Sequence, residues 1–190
     1  MDVQTGEIKA MSNLDRLGND SYEEIANHAV VRMEPGSTFK TISLMAALDD
    51  GKVKMDDSIC VEEDGWWYNK ARIVDAHPRD TVYSIRQAMA ASSNIALAKI
   101  ITMGYGGSAK KFVKKLHGMG LCDSVDYTIP GATQSLIDIP NDTVTIAKMA
   151  YGYSVELSPL QILMFYNGIA NDGKVMKPLS GISRFKSSTP

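Results

Sequence analysis

The chain has 190 residues, 44% hydrophobic and 22% charged, a balance that excludes a disordered or fibrous polypeptide and suits one domain of ordinary size. Its net charge of −2 and pI near 5.9 give no electrostatic basis for binding nucleic acid. Cys60 and Cys122 lie far apart, and His28, His77 and His117 are scattered without metal-ligand spacing, so a metal site is not expected.

In chain order, residues 2–11 read as a hairpin around Gln4-Thr5-Gly6-Glu7, and the polar residues 12–30 as a connecting loop. Pro35-Gly36 then breaks the chain, and the breaker-free run from Ser37 to Leu48 predicts a helix ending near Asp49-Asp50-Gly51, with Gly51 as its C-terminal stop. Residues 52–80 read as an irregular, hairpin-containing excursion in which residues 58–61 and 66–74 alternate as strands. A helix is expected from near Thr81, broken at Ser92-Ser93-Asn94 and followed by a second apolar helix. Another is expected from about Ser108 to His117, its Lys110, Lys111, Lys114 and Lys115 forming a solvated face. Ser158, Pro159 and Gln161 form a Ser-x-x-Gln capping box, opening a helix to about Ala170 that stops at Asn171-Asp172-Gly173. No apolar run reaches membrane-spanning length, the longest being residues 42–48, and no cationic leader precedes one.

The segment Glu34-Pro35-Gly36-Ser37-Thr38-Phe39-Lys40 concentrates the chemistry. Residues three apart share a helix face, so the Lys40 amine is expected to reach the Ser37 hydroxyl. A serine hydroxyl needs a neighbouring base to attack a carbonyl, and a lysine serves if burial lowers its pKa. The spacing alone is weak, because it recurs at Ser108/Lys111 and Ser183/Lys186, and an N-cap serine beside a surface lysine is the plain alternative. Ala91-Ser92-Ser93-Asn94 admits two readings as well: an interhelical turn capped by Ser93 or Asn94, or Ser92 and Asn94 facing Ser37 across a cleft. Trp66-Trp67-Tyr68 beside Glu62-Glu63-Asp64 reads as hairpin packing or as a saccharide groove. His77, near Asp75 and Asp80, reads as a loop histidine.

The pairing of EPGSTFK with ASSNIALAKI about fifty residues later resembles the transpeptidase domain of class B penicillin-binding proteins. The opening residues 1–11 and Tyr151-Gly152-Tyr153-Ser154-Val155-Glu156-Leu157-Ser158-Pro159-Leu160-Gln161 are similar to further family segments, so the resemblance runs to about residue 178. It implies an α+β fold of the serine β-lactamase and transpeptidase kind, with residues 1–11 a hairpin of the central sheet and residues 37–178 largely helical. It implies peptidoglycan stem peptides as substrates, β-lactams as inhibitors, and no cofactor. By role, Ser37 would be the nucleophile, Lys40 the base, and Ser92 a proton relay. Asn94 would hold the substrate backbone and help fix Lys40, and Ser93 would also contact substrate. A β-lactam sensor, a serine β-lactamase and a non-catalytic interaction module remain the alternatives.

The family's Lys-Thr-Gly motif occurs nowhere in the 190 residues. The chain is therefore expected to be a C-terminally truncated piece of a longer transpeptidase, with an incomplete antiparallel sheet and little or no turnover. An open sheet edge would favour self-association. The parent protein would work in the periplasm or an equivalent extracytoplasmic space, anchored by an upstream membrane span and joined by cell-wall synthesis partners.

Overall fold

A computed structural model describes residues 1–18, 20–121, 129–142 and 144–179. Where length alone suggests one domain, the contacts divide the chain into two compact units. The first comprises Met1–Met33, Asp123–Ser135 and Leu157–Pro190; the second comprises Glu34–Cys122 and Leu136–Glu156.

In the first unit, the expected hairpin over residues 2–11 is present only as a turn. Asp2 Oδ1 accepts hydrogen bonds from the backbone of Gln4 and Thr5 and from the Thr5 hydroxyl, closing the loop within four residues. The chain beyond Gly6 then pairs in parallel with Leu179, through Ile8 N–H to Leu179 O at 3.0 Å and Leu179 N–H to Gly6 O at 2.8 Å. Gly6 has φ +78°, and a Cβ there would lie 2.2 Å from the Lys177 carbonyl, so glycine is required. Residues 12–30, read as a loop, contain an antiparallel hairpin of β1 (Asp15–Gly18) and β2 (Ser21–Glu23). Its side chains are almost all exposed, which removes the alternation that would have revealed it. Helix α6 is Pro159–Ala170, and the Ser158/Gln161 capping box is formed as expected. Ile8, Val30, Leu160 and Met164 make the core of this unit, with Met1, Met11, Ile129 and Ala132 packed against them.

In the second unit a 3₁₀ turn, Gly36–Phe39, leads directly into α1 (Lys40–Asp49). Gly51, at φ +62°, terminates α1 with its N–H on the Leu48 carbonyl, the stop expected of it. Strand β3 (Ser58–Val61) pairs antiparallel with β6 (Thr81–Ser84), and β4 (Trp66–Tyr68) pairs with β5 (Ala71–Ile73). The helix expected from Thr81 starts four residues later, as α2 (Ile85–Ala90). Thr81, Val82 and Tyr83 are β-formers that bond to β3, and Ser84 forms a capping box with Gln87 that fixes the switch from strand to helix. Helix α3 (Asn94–Gly104) is buried continuously from Ile95 to Thr102 and packs on α1 and on α5 (Thr145–Met149), a short helix that no sequence signal marked. Helix α4 (Ala109–Gly118) buries Phe112, Val113 and Leu116 and exposes Lys110, Lys111 and Lys114. The described residues thus form an α+β structure whose three sheets are each two-stranded. None of the described helices is long and apolar enough to cross a membrane.

Candidate active site

Ser37 and Lys40 lie on opposite sides of the junction between the 3₁₀ turn and α1. The turn leaves Ser37 exposed, while Lys40, the first residue of the α-helix, is only 2% exposed. The Lys40 amine does not bond to Ser37. It donates instead to Ser92, 2.5 Å from the carbonyl oxygen and 2.9 Å from Oγ. Among the described residues the Ser37 hydroxyl has no hydrogen-bond partner and stands open to a ligand. Burial pushes the Lys40 amine down to about 8, partly offset by the carboxylate of Asp75, so roughly one amine in ten is neutral at pH 7. Ser37 is thus an accessible hydroxyl, three residues from a buried amine poised to take up a proton.

The second wall of the site is the α2–α3 junction. Ser92 adopts φ +51°, a conformation that non-glycine residues rarely hold, and this aims both its carbonyl and its hydroxyl at Lys40. Ser93 caps α3, its Oγ accepting from Ala96 N–H at 3.0 Å and donating to Asp75 Oδ2 at 2.6 Å. Asp75 Oδ1 also accepts from Ile95 N–H at 2.9 Å, so one carboxylate ties up two groups at the start of α3.

The sequence matches the family described as the penicillin binding protein transpeptidase domain over residues 1–183. The chain belongs to this family. Among curated relatives, it is 30% identical over 184 residues to a protein of Neisseria flavescens named probable peptidoglycan D,D-transpeptidase PenA, covering 93% of this chain and 44% of that protein. It is also 30% identical over 188 residues to the Neisseria gonorrhoeae protein of the same name, covering 95% of this chain and 31% of the other. Of solved structures, it matches the apo transpeptidase domain of Burkholderia pseudomallei penicillin-binding protein 3 with a TM-score of 0.76 at 26% identity, over 95% of this chain and 51% of that one. The chain therefore spans less than half the length of these curated relatives and about half of that structure.

Within this transpeptidase-family fold the expected site residues separate into two groups. Lys40 and Ser92 are joined through the Lys40 amine, a link that replaces the one expected between Lys40 and Ser37, and Ser37 stands three residues before Lys40 with its hydroxyl unbonded. Asn94 makes no hydrogen bond to Lys40: its side-chain amide donates to the Val74 carbonyl at 2.9 Å. Ser93, expected to contact substrate, is 1% exposed and its hydroxyl is committed to Asp75 and Ala96, so in this structure it is a helix cap.

Two positioning residues escaped the sequence reading. Asp75 sits in a loop eighteen positions before Ser93 with no periodicity to mark it. Gly152, at φ +89°, accepts the Gly36 N–H at 3.0 Å, and a Cβ on it would lie 2.0 Å from the Gly36 carbonyl oxygen. Glu34 adds a second clamp, its Oε1 accepting from Ser154 N–H at 2.7 Å. The turn that presents Ser37 is therefore held from behind by the Gly152–Ser154 backbone.

The remaining sequence candidates take structural places. Trp66 stacks on Tyr68 at 5.1 Å between ring centroids, and Lys99 lies over Trp66 while also pairing with Glu62, so this aromatic group packs the hairpin; Trp67 is exposed. Ser108 stands at the N-cap position of α4 without a side-chain capping bond and Lys111 is exposed, whereas Ser183, Lys186 and Cys122 lie outside the described residues. Cys60 is an exposed free thiol on β3. No group of His, Cys, Asp and Glu among the described residues is arranged to hold a metal ion.

Proposed function

We propose that this chain is the serine-bearing part of a peptidoglycan D,D-transpeptidase, acylated at Ser37 by the D-Ala-D-Ala end of a stem peptide and by β-lactams. The observation that carries the reading is the buried Lys40 amine, held on Ser92 three residues from an exposed, unbonded serine hydroxyl. Ser37 Oγ attacks the carbonyl between the two D-alanines while Lys40 in its neutral form accepts the hydroxyl proton. The proton passes through Ser92 Oγ, which is in hydrogen-bond contact with Lys40, to the leaving D-alanine amine. An amine of a neighbouring stem then takes the acyl group, re-forming the Ser37 hydroxyl. Asn94, the first residue of α3, is the candidate donor to substrate backbone, with a second amide N–H and its Oδ1 left over from the bond to Val74. Ser93 and Asp75 hold the Ser92 turn in place.

The Ser37 N–H supplies one donor for the developing oxyanion, and the family's second comes from the Lys-Thr-Gly strand, a motif these 190 residues do not contain. Loss of one such donor costs about 2.7–4 kcal/mol, or roughly a hundred- to a thousand-fold in rate. The 190-residue chain by itself is therefore expected to acylate slowly and to turn over a stem peptide barely at all. The working protein acts on the cell wall outside the cytoplasm, tethered to the membrane and engaged with other wall-building enzymes.

The test is the intact mass of the chain after incubation with penicillin, beside a Ser37→Ala control. A single penicilloyl adduct absent from the control is expected, and an adduct that survives the substitution overturns the assignment. A lifetime of hours for the adduct fits a transpeptidase; release within seconds would favour a β-lactamase.

A further inference from the structure

A cleft of about 280 Å³ opens beside the serine site within the same compact unit, between Asp75, His77, Arg79, Tyr83 and Gln87. Its donors are unspent. The side chains of His77, Arg79 and Tyr83 make no hydrogen bond or ion pair among the described residues. Gln87 uses its Oε1 to accept from Ser84 in the α2 capping box, which leaves its NH₂ group unbonded. The one acid in the cleft is already occupied, Asp75 holding Ser93 with one oxygen and Ile95 N–H with the other. Guanidinium, phenol, amide and imidazole groups lining one concavity each have a donor to offer a carboxylate, and the guanidinium supplies the positive charge that outweighs Asp75 there.

The position of the cleft is as informative as its chemistry. Ala90 and Ala91 form another part of its lining, and Ala91 is bonded directly to Ser92, which holds the Lys40 amine. A ligand that reaches this cleft while its end lies at Ser37 carries its acid on a part of the molecule other than the reacting end. The volume admits an acidic side chain.

We propose that this cleft binds a free carboxylate carried on the body of a peptide ligand, upstream of its reacting end, with Arg79 as the principal contact. The proposal rests on the transpeptidase reading, because peptidoglycan stems carry such carboxylates on the residues preceding the two D-alanines. The cleft is then a selector between stems whose acidic residues are free and stems in which they are amidated.

The experiment titrates the 190-residue chain by calorimetry with two synthetic stem pentapeptides. One has free carboxylates on its second and third residues and the other has both amidated. The penicillin adduct of the unsubstituted chain is measured in parallel. Tighter binding of the free-acid peptide is expected, roughly tenfold, with that preference lost in Arg79→Ala and partly restored in Arg79→Lys. Equal binding of the two peptides, no saturable binding of the free-acid peptide, or an Arg79→Ala chain that keeps the preference would each overturn the proposal. An absent adduct with the preference intact would remove the acyl-enzyme reading and leave the cleft assigned.

Discussion

The proposed role of the buried Lys40 amine as base predicts a specific pH dependence of acylation. With its pKa pushed down to about 8, the neutral fraction of the amine rises from about 1% at pH 6 to about half at pH 8. If neutral Lys40 takes the Ser37 proton, the initial rate of penicillin adduct formation climbs about fifty-fold over those two units and levels off above pH 9. The assay is intact mass against time at a fixed, sub-saturating penicillin concentration, in buffers from pH 6 to 9.5. A second readout follows from the same group. Lys40 releases its proton near pH 8 when folded and near the ordinary lysine value of 10.5 when unfolded, so between those values the unfolded chain binds more protons. Stability against denaturant therefore rises from pH 8 to pH 10, by about 2 kcal/mol from this residue. Above pH 10 the gain is opposed by Tyr105. Burial and a hydrogen bond to Asp50 raise its hydroxyl pKa, so it stays protonated in the fold while the unfolded chain ionises. A flat acylation profile, or one still climbing steeply past pH 9.5, would refute the assignment of Lys40 as base.

Two further outcomes follow from the surroundings of the site. Gly152→Ala would drive a Cβ into the Gly36 carbonyl and impose a strained positive φ; a loss of about 3 kcal/mol in denaturant stability is expected, together with loss of the Ser37 adduct. A chain that acylates normally with alanine there would show that the turn is not held as described. Asp75→Ala removes the acceptor for Ser93 and Ile95, which costs about 1–2 kcal/mol by urea unfolding, and it withdraws the charge that favours protonated Lys40. The midpoint of the acylation profile should move below pH 8, and a shift upward would contradict the arrangement.

Legibility in the sequence followed the range of the interaction. Capping boxes, glycine stops and the Ser158–Ala170 helix were readable because their causes lie within four residues. The β1–β2 hairpin was not, since an exposed hairpin held by polar turn residues has no apolar face to betray it. Thr81–Ser84 reads as helix from sequence because the run Val82, Ile85, Ala88, Met89 satisfies a helical period, and only pairing with β3, twenty or more residues away, overrides it. The site divided in the same way. Ser37, Lys40 and Ser92 stood out from their motifs, but the partner chosen by the lysine, the diversion of Asn94 to Val74, and the parts played by Asp75 and Gly152 are tertiary facts with no local signature.

The contact between Gly36 and Gly152 also sets a timetable. The backbone that fixes the turn presenting Ser37 is synthesised more than a hundred residues after that serine, so a nascent chain carries Ser37 and Lys40 long before it can hold them in register. On the proposed reading of Ser37 as nucleophile, its reactivity then depends on a contact of long sequence separation rather than on the motif alone.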